Sequence, residues 1–227
     1  MIKFNLSFFG GRGASSGGDS GLPTAYPQGG GGSSRPENMD QLPGEMATAT
    51  EALGAQGRAM SLTNAVRDAN PNYDMGPEYQ YNCQRCIVAT EARLRGYDVQ
   101  ALPTSSDDTM PFGLNYLDNF VNPNPTRINR STARANRNAV ESEMAGFGDN
   151  SRAVMSFGWS GGGSGHVINV VRRNGRTGYY DGQTGEKYDA PSLFNAISRS
   201  SGITLTRVDN LQFSDTVNRS VRPTVKK

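Results

Sequence analysis

The apolar positions of this 227-residue chain change their spacing three times. Up to about residue 44 they are sparse. The run "FFGGRGASSGGDSGLPTAYPQGGGGSSRPENMDQLPG" is glycine, serine and proline. It cannot bury enough surface to offset its ordering entropy, which predicts a disordered arm over 1–44. The tip "IKFNLSFF" alternates apolar residues, and a frayed terminus is the expectation there, ahead of a docked strand. From Gly44 helix formers take over. Met46 and Leu53 lie seven apart and Leu62 and Val66 four apart, so one or two short helices are predicted before Pro71. In "NCQRCIVATEARLRG" the positions Cys83, Ile87, Thr90 and Leu94 follow one helix face. Asn82 stands where a cap belongs, and Gly96 where a helix stops. "YDVQALP" then reads as a short strand.

Residues 104–150 are polar and weakly periodic. They predict a small packed helix in "MPFGLNYLDNF" and a second helix from about Ser131 to Gly146, with Arg127, Arg130, Arg134 and Arg137 on a solvated basic face. Beyond them the period shortens to two. "RAVMSFGW" and "HVINVVRR" are strands flanking a glycine-rich loop, and "GYYD" is a third. Asn174-Gly175 between apolar runs is a strong hairpin signal. A capped helix at "APSLFNAIS" and a strand at "ITLTRVDN" follow, and from about Ser214 the chain is polar and basic. The order of helices before strands predicts an α+β fold in one domain over 45–213, with a tail over 214–227.

Composition narrows the function. Only 35% of residues are hydrophobic, consistent with part of the chain lying outside a core. A net charge of +2 gives no argument for nucleic acid or for a membrane surface. No apolar run spans a bilayer and no secretory signal is legible, so the expected setting is cytoplasmic, or virion-associated with delivery to a bacterial host.

Both cysteines, Cys83 and Cys86, sit at the start of the predicted helix, and His166 is the sole histidine. His166 opens the strand after the glycine-rich loop. Asp181 closes the next strand, 181 − 166 = 15 residues on, so the hairpin brings the two side by side at its open end. A carboxylate beside an imidazole fixes its tautomer and stabilises its protonated form. A helix N-terminus offers orphan N–H groups and a favourable dipole to a thiolate. Cys83, His166 and Asp181 are therefore candidates for nucleophile, base and orienter. Gln80, Asn82 and Gln183 are candidates for substrate or oxyanion contacts, and Cys86 is the alternative nucleophile or a redox partner. A zinc site would need two further soft ligands, which this chain lacks, and no metal or cofactor is expected. A thioredoxin-like dithiol has the right spacing without the usual aromatic-Cys-Gly-Pro-Cys context. Two half-buried thiols and a satisfied histidine would be the plainest account, and the hairpin spacing argues against it.

The motifs "YNCQRCIVATEARLRGYDVQALP" and "GHVINVVRRNGRTGYYDGQTGE", over roughly residues 67–190, resemble the papain-fold toxin family of glutamine deamidases. That resemblance implies a papain-like fold, a Cys83–His166–Asp181 triad and attack on a glutamine carboxamide of a protein target. Gln183, in the "DGQTG" turn, would position substrate or the Asp181 loop. The glycine-rich arm also resembles low-complexity stretches of bacteriophage head proteins, which implies virion proteins as partners of the arm, beside an immunity protein. Two other readings stay open: a papain-like peptidase, and a phage head component that keeps the fold without using the triad.

Overall fold

The computed structural model describes residues 47–104, 115–162 and 165–224. The arm expected over 1–44, Met46 and the first residues of the helix expected at 110–120 lie outside them. The described chain is α+β, as anticipated. A six-stranded antiparallel sheet of order β2-β7-β3-β4-β5-β6 carries helices on both faces, and β1 pairs with β8 in a separate two-stranded sheet. The strands are β1 (Val99–Ala101), β2 (Pro125–Ile128), β3 (Arg152–Gly158), β4 (Gly165–Arg173), β5 (Arg176–Asp181), β6 (Glu186–Tyr188), β7 (Ile203–Arg207) and β8 (Val221–Pro223). The helices are α1 (Ala49–Leu53), α2 (Leu62–Arg67), α3 (Pro77–Gln80), α4 (Cys83–Leu94), α5 (Ala133–Phe147) and α6 (Ala190–Ala196).

The sheet has two apolar layers because both of its faces are covered. Val154 and Val167 join a cluster with Ile87, Val88 and Ala92 of α4. Their strand neighbours Met155, Ile168 and Val170 face Val140 and Met144 of α5 and Leu193 and Phe194 of α6. Each such side chain contributes about 1.5–3 kcal/mol on burial. The β4–β5 hairpin turns where its sequence says. Asn174 and Gly175 have φ of 51° and 71°, as a type I′ turn requires, and their N–H groups donate to the Asp149 carboxylate at 3.0 and 2.9 Å.

The structure corrects four expectations. First, the burial of α4 goes well beyond the single face expected: Arg85 through Arg93 are all buried. Ion pairs make that tolerable. Glu91, fully buried, accepts from Arg95 Nε at 2.8 Å and from Arg152 Nε and Nη2 at 2.8 and 2.9 Å, which ties α4 to β3. Second, Asn82 holds the N-cap position of α4, yet its side chain makes no capping bond. Third, the fold runs past the Ser214 boundary. A 3₁₀ turn over Asp215–Arg219 and strand β8 bring in Val217 and Val221, both buried. Four residues apart with only polar residues between them, they leave little trace in composition. Fourth, β2 and β6 were not anticipated. Both sit at sheet edges, where the exposed positions of β2 and the three residues of β6 leave no period-two signal.

Candidate active site

Three elements converge on the site: the N-terminus of α4, the start of β4, and the end of β5 with the turn that follows it. In the β4–β5 ladder Asn169 lies opposite Tyr180, so Asp181 is diagonal to His166 rather than directly beside it. Diagonal positions are about 7–8 Å apart at Cα, within reach of these two side chains. His166 Nε2 meets Asp181 Oδ2 at 3.0 Å. Asp181 is fully buried and accepts two further bonds, from the Tyr188 hydroxyl to Oδ2 at 2.8 Å and from the Gln183 N–H to Oδ1 at 2.9 Å.

These contacts decide the charges. Burial pushes the Asp181 carboxyl up, but the His166 charge and hydrogen bond, the Tyr188 hydroxyl and the Gln183 amide outweigh it and hold it below its ordinary 3.8. Burial pushes the His166 imidazole down; the Asp181 charge and hydrogen bond, with hydrogen bonding and charge from Cys83, reverse this and bring it from 6.5 up to about 10. His166 is thus an imidazolium at neutral pH. Its Nε2–H donates to Asp181, which leaves Nδ1 for the sulfur of Cys83. Trp159 stacks on the ring at 5.8 Å between centroids with planes 24° apart, and Phe157 meets it edge-on at 6.0 Å. The aromatic cover excludes water from the pair and strengthens it.

Cys83 is half-buried at the first turn of α4, whereas Cys86 is buried. Burial, and after it the charges of Cys83 and Asp181, push the Cys86 thiol well above its ordinary 9.0. Of the two sulfurs only Cys83 interacts with His166. By helix geometry the N–H groups of Cys83 and Gln84 have no acceptor within α4, and no side chain caps that end.

The three amide candidates part company. Gln80 is half-buried, with Nε2 on the Tyr73 carbonyl at 3.4 Å. Asn82 is buried. Its Nδ2 donates to Leu102 O at 3.0 Å and to Asn70 Oδ1 at 3.3 Å, and its Oδ1 accepts from Cys86 Sγ at 3.1 Å and from Gln183 Nε2 at 3.4 Å. Gln183 is buried too, and Asn70 Nδ2 holds its carbonyl at 3.1 Å. Asn70, Asn82 and Gln183 together pin the turn after Asp181 to the start of α4. Gly182 permits that contact: a Cβ there would lie 3.0 Å from the Cys86 carbonyl oxygen and against the Thr90 hydroxyl.

Asn70, Trp159 and Tyr188 were not among the sequence candidates. Trp159 is the sole tryptophan and precedes the glycine-rich loop, a usable hint. Tyr188 becomes legible once "DGQTGE" is read as a second hairpin, in which Asp181 pairs with Glu186 and Tyr179 with Tyr188. Asn70 carries no local signal. Among the described residues no group of three or more His, Cys, Asp or Glu side chains is placed to hold a metal ion, and no helix is long and apolar enough to cross a membrane.

Residues 81–186 match a family model described as papain fold toxin 1, glutamine deamidase. No curated protein and no solved structure matches the chain significantly. The matched span begins two residues before Cys83 and ends five after Asp181, so it contains all three elements of the site.

Proposed function

We propose, from the match of residues 81–186 to the papain-fold toxin glutamine deamidase family model, that the chain is a cysteine-dependent amidohydrolase that deamidates glutamine side chains of a protein target. The observation that carries it is the buried His166–Asp181 pair with Cys83 at its free side. Cys83 attacks the glutamine Cδ as a thiolate. The oxyanion forms against the first-turn N–H groups of α4. His166 gives its Nδ1 proton to the departing ammonia, leaving a thioester. The neutral imidazole then takes a proton from water, whose oxygen displaces the sulfur, giving glutamate and the resting ion pair. Asp181 holds the ring throughout, and Tyr188 holds Asp181.

Two measurements test this. Thiol alkylation followed by mass spectrometry, in wild type and His166→Ala, is expected to find Cys83 reacting faster than Cys86, an advantage lost without His166. A Cys83 whose alkylation rate ignores His166 would leave a fold without a working triad, as in a structural head component. Incubation with candidate protein targets is then expected to release ammonia and leave their chains intact. Cleaved chains without ammonia would point to a peptidase, which uses the same triad.

A further inference from the structure

The proposed reaction leaves one buried nucleophilic group unused, the Cys86 thiol. We propose that Cys83 and Cys86 form an oxidisable pair in which Cys86 resolves a sulfenic acid on Cys83 into an intrahelical disulfide, so that the site works only where thiols are kept reduced. That the disulfide silences catalysis rests on the deamidase reading; that it forms does not.

The geometry is that of consecutive turns. With a Cα radius of about 2.3 Å and a rise of about 1.5 Å per residue, helix positions three apart lie about 5 Å apart at Cα. That falls inside the range disulfides span, about 4.4–6.8 Å. The Cβ atoms of such a pair start about 5–6 Å apart and must close by about 1–2 Å. The strain falls on the first turn of α4, where Asn82 makes no capping bond although its side chain is tied to Asn70, Leu102 and Gln183. Exposure divides the roles. Cys83 is half-buried and open to a small oxidant. Cys86 is 1% exposed, so the sulfur within its reach is that of Cys83. The two thiols are the only ones in the chain, so no third sulfur competes within the molecule.

The chemistry balances with a peroxide as oxidant. The Cys83 thiolate, with its proton on His166, takes one oxygen from hydrogen peroxide, forming the sulfenic acid and releasing hydroxide that His166 protonates to water. The Cys86 sulfur attacks, the S–S bond forms, the S–O bond breaks, and a second water leaves with the Cys86 proton. Two electrons pass from the thiols to the peroxide. Burial first, and then any negative charge on Cys83, holds the Cys86 proton in place. The neutral sulfenic acid removes the second restraint as the resolving step begins. Closure also withdraws Cys83 from His166 and breaks the Cys86–Asn82 bond at the node that anchors the turn after Asp181. A thiol reductant restores both.

The full chain, titrated with hydrogen peroxide under non-reducing conditions, is read by intact mass and peptide mapping. The expected product is a monomer lighter by two hydrogens, with no alkylatable thiol, restored by a thiol reductant. In Cys86→Ala the same peroxide is expected to carry Cys83 onward to sulfinic and sulfonic acid, beyond rescue. Wild-type protein that over-oxidises at Cys83 while Cys86 stays alkylatable, or that forms only intermolecular disulfides, overturns the proposal without reference to the variant. Ammonia release, assayed in parallel, is expected to vanish on oxidation and return on reduction. A reversible disulfide in a chain whose reduced form never releases ammonia would sink the deamidase reading and leave the pair standing. Ammonia release that peroxide abolishes irreversibly would do the opposite.

Discussion

Asp181→Asn separates the two opposing influences on His166. The amide keeps an oxygen for the Gln183 N–H but puts an NH₂ group where Oδ2 received Nε2 and the Tyr188 hydroxyl. Burial is the largest single influence on His166 and favours the neutral ring, and without the carboxylate only Cys83 still opposes it, so the imidazole should fall from about 10 toward its ordinary 6.5. That interval corresponds to about 5 kcal/mol of preference for the imidazolium. Because His166 is the only histidine, its two ring C–H signals are assigned without ambiguity and can be followed by NMR from about pH 5 to about pH 11. Stability should track the same charges. A histidine raised from 6.5 to about 10 adds stability that is complete below 6.5 and lost as pH rises through 10. A carboxylate held below 3.8 adds stability that is present above 3.8 and lost as pH falls through its lower folded value. Denaturant unfolding should therefore show the widest gap between wild type and variant from pH 3.8 to 6.5, narrowing toward pH 10. An imidazole that still titrates near 10 in Asp181→Asn, or a gap that widens with pH, would refute the ion pair as the organiser of this site.

Tyr188→Phe removes one donor from the buried carboxylate and should cost about 1.5–3 kcal/mol in chemical denaturation, while His166→Ala alone should abolish the faster alkylation of Cys83. Gly182→Ala drives a methyl group against the Cys86 carbonyl oxygen and the Thr90 hydroxyl; a loss of about 1–3 kcal/mol is expected by thermal unfolding, with slower Cys83 alkylation because the Asp181 turn shifts. Glu91→Gln strips the charge that Arg95 and Arg152 share. Both arginines keep some exposure, so the loss should sit near the low end of the about 3–5 kcal/mol seen for broken buried pairs, read from the denaturation midpoint.

Local chemistry made much of this protein readable. The Asn174-Gly175 turn fixes the hairpin register, and that register carries His166 and Asp181 to the same end of the sheet. Gly96, at φ 97°, stops α4 as its position suggested. Cys83 at a helix start and Asp181 fifteen residues beyond His166 were legible because both depend on neighbours in sequence. What stayed hidden depends on neighbours in space. Asn82 reads as a helix cap, yet tertiary contacts with Asn70 and Gln183, 12 and 101 residues away, claim its side chain instead. One face of α4 was legible, but the burial of its polar residues depends on Arg152, 61 residues from Glu91. The last strand has too few apolar residues to announce itself, and gains its place by pairing with Val99–Ala101 and packing against α1. The sequence determined which groups can do chemistry and which turns present them. The tertiary structure decided which cysteine meets the imidazole, because burial and charge at a site are set by everything packed around it.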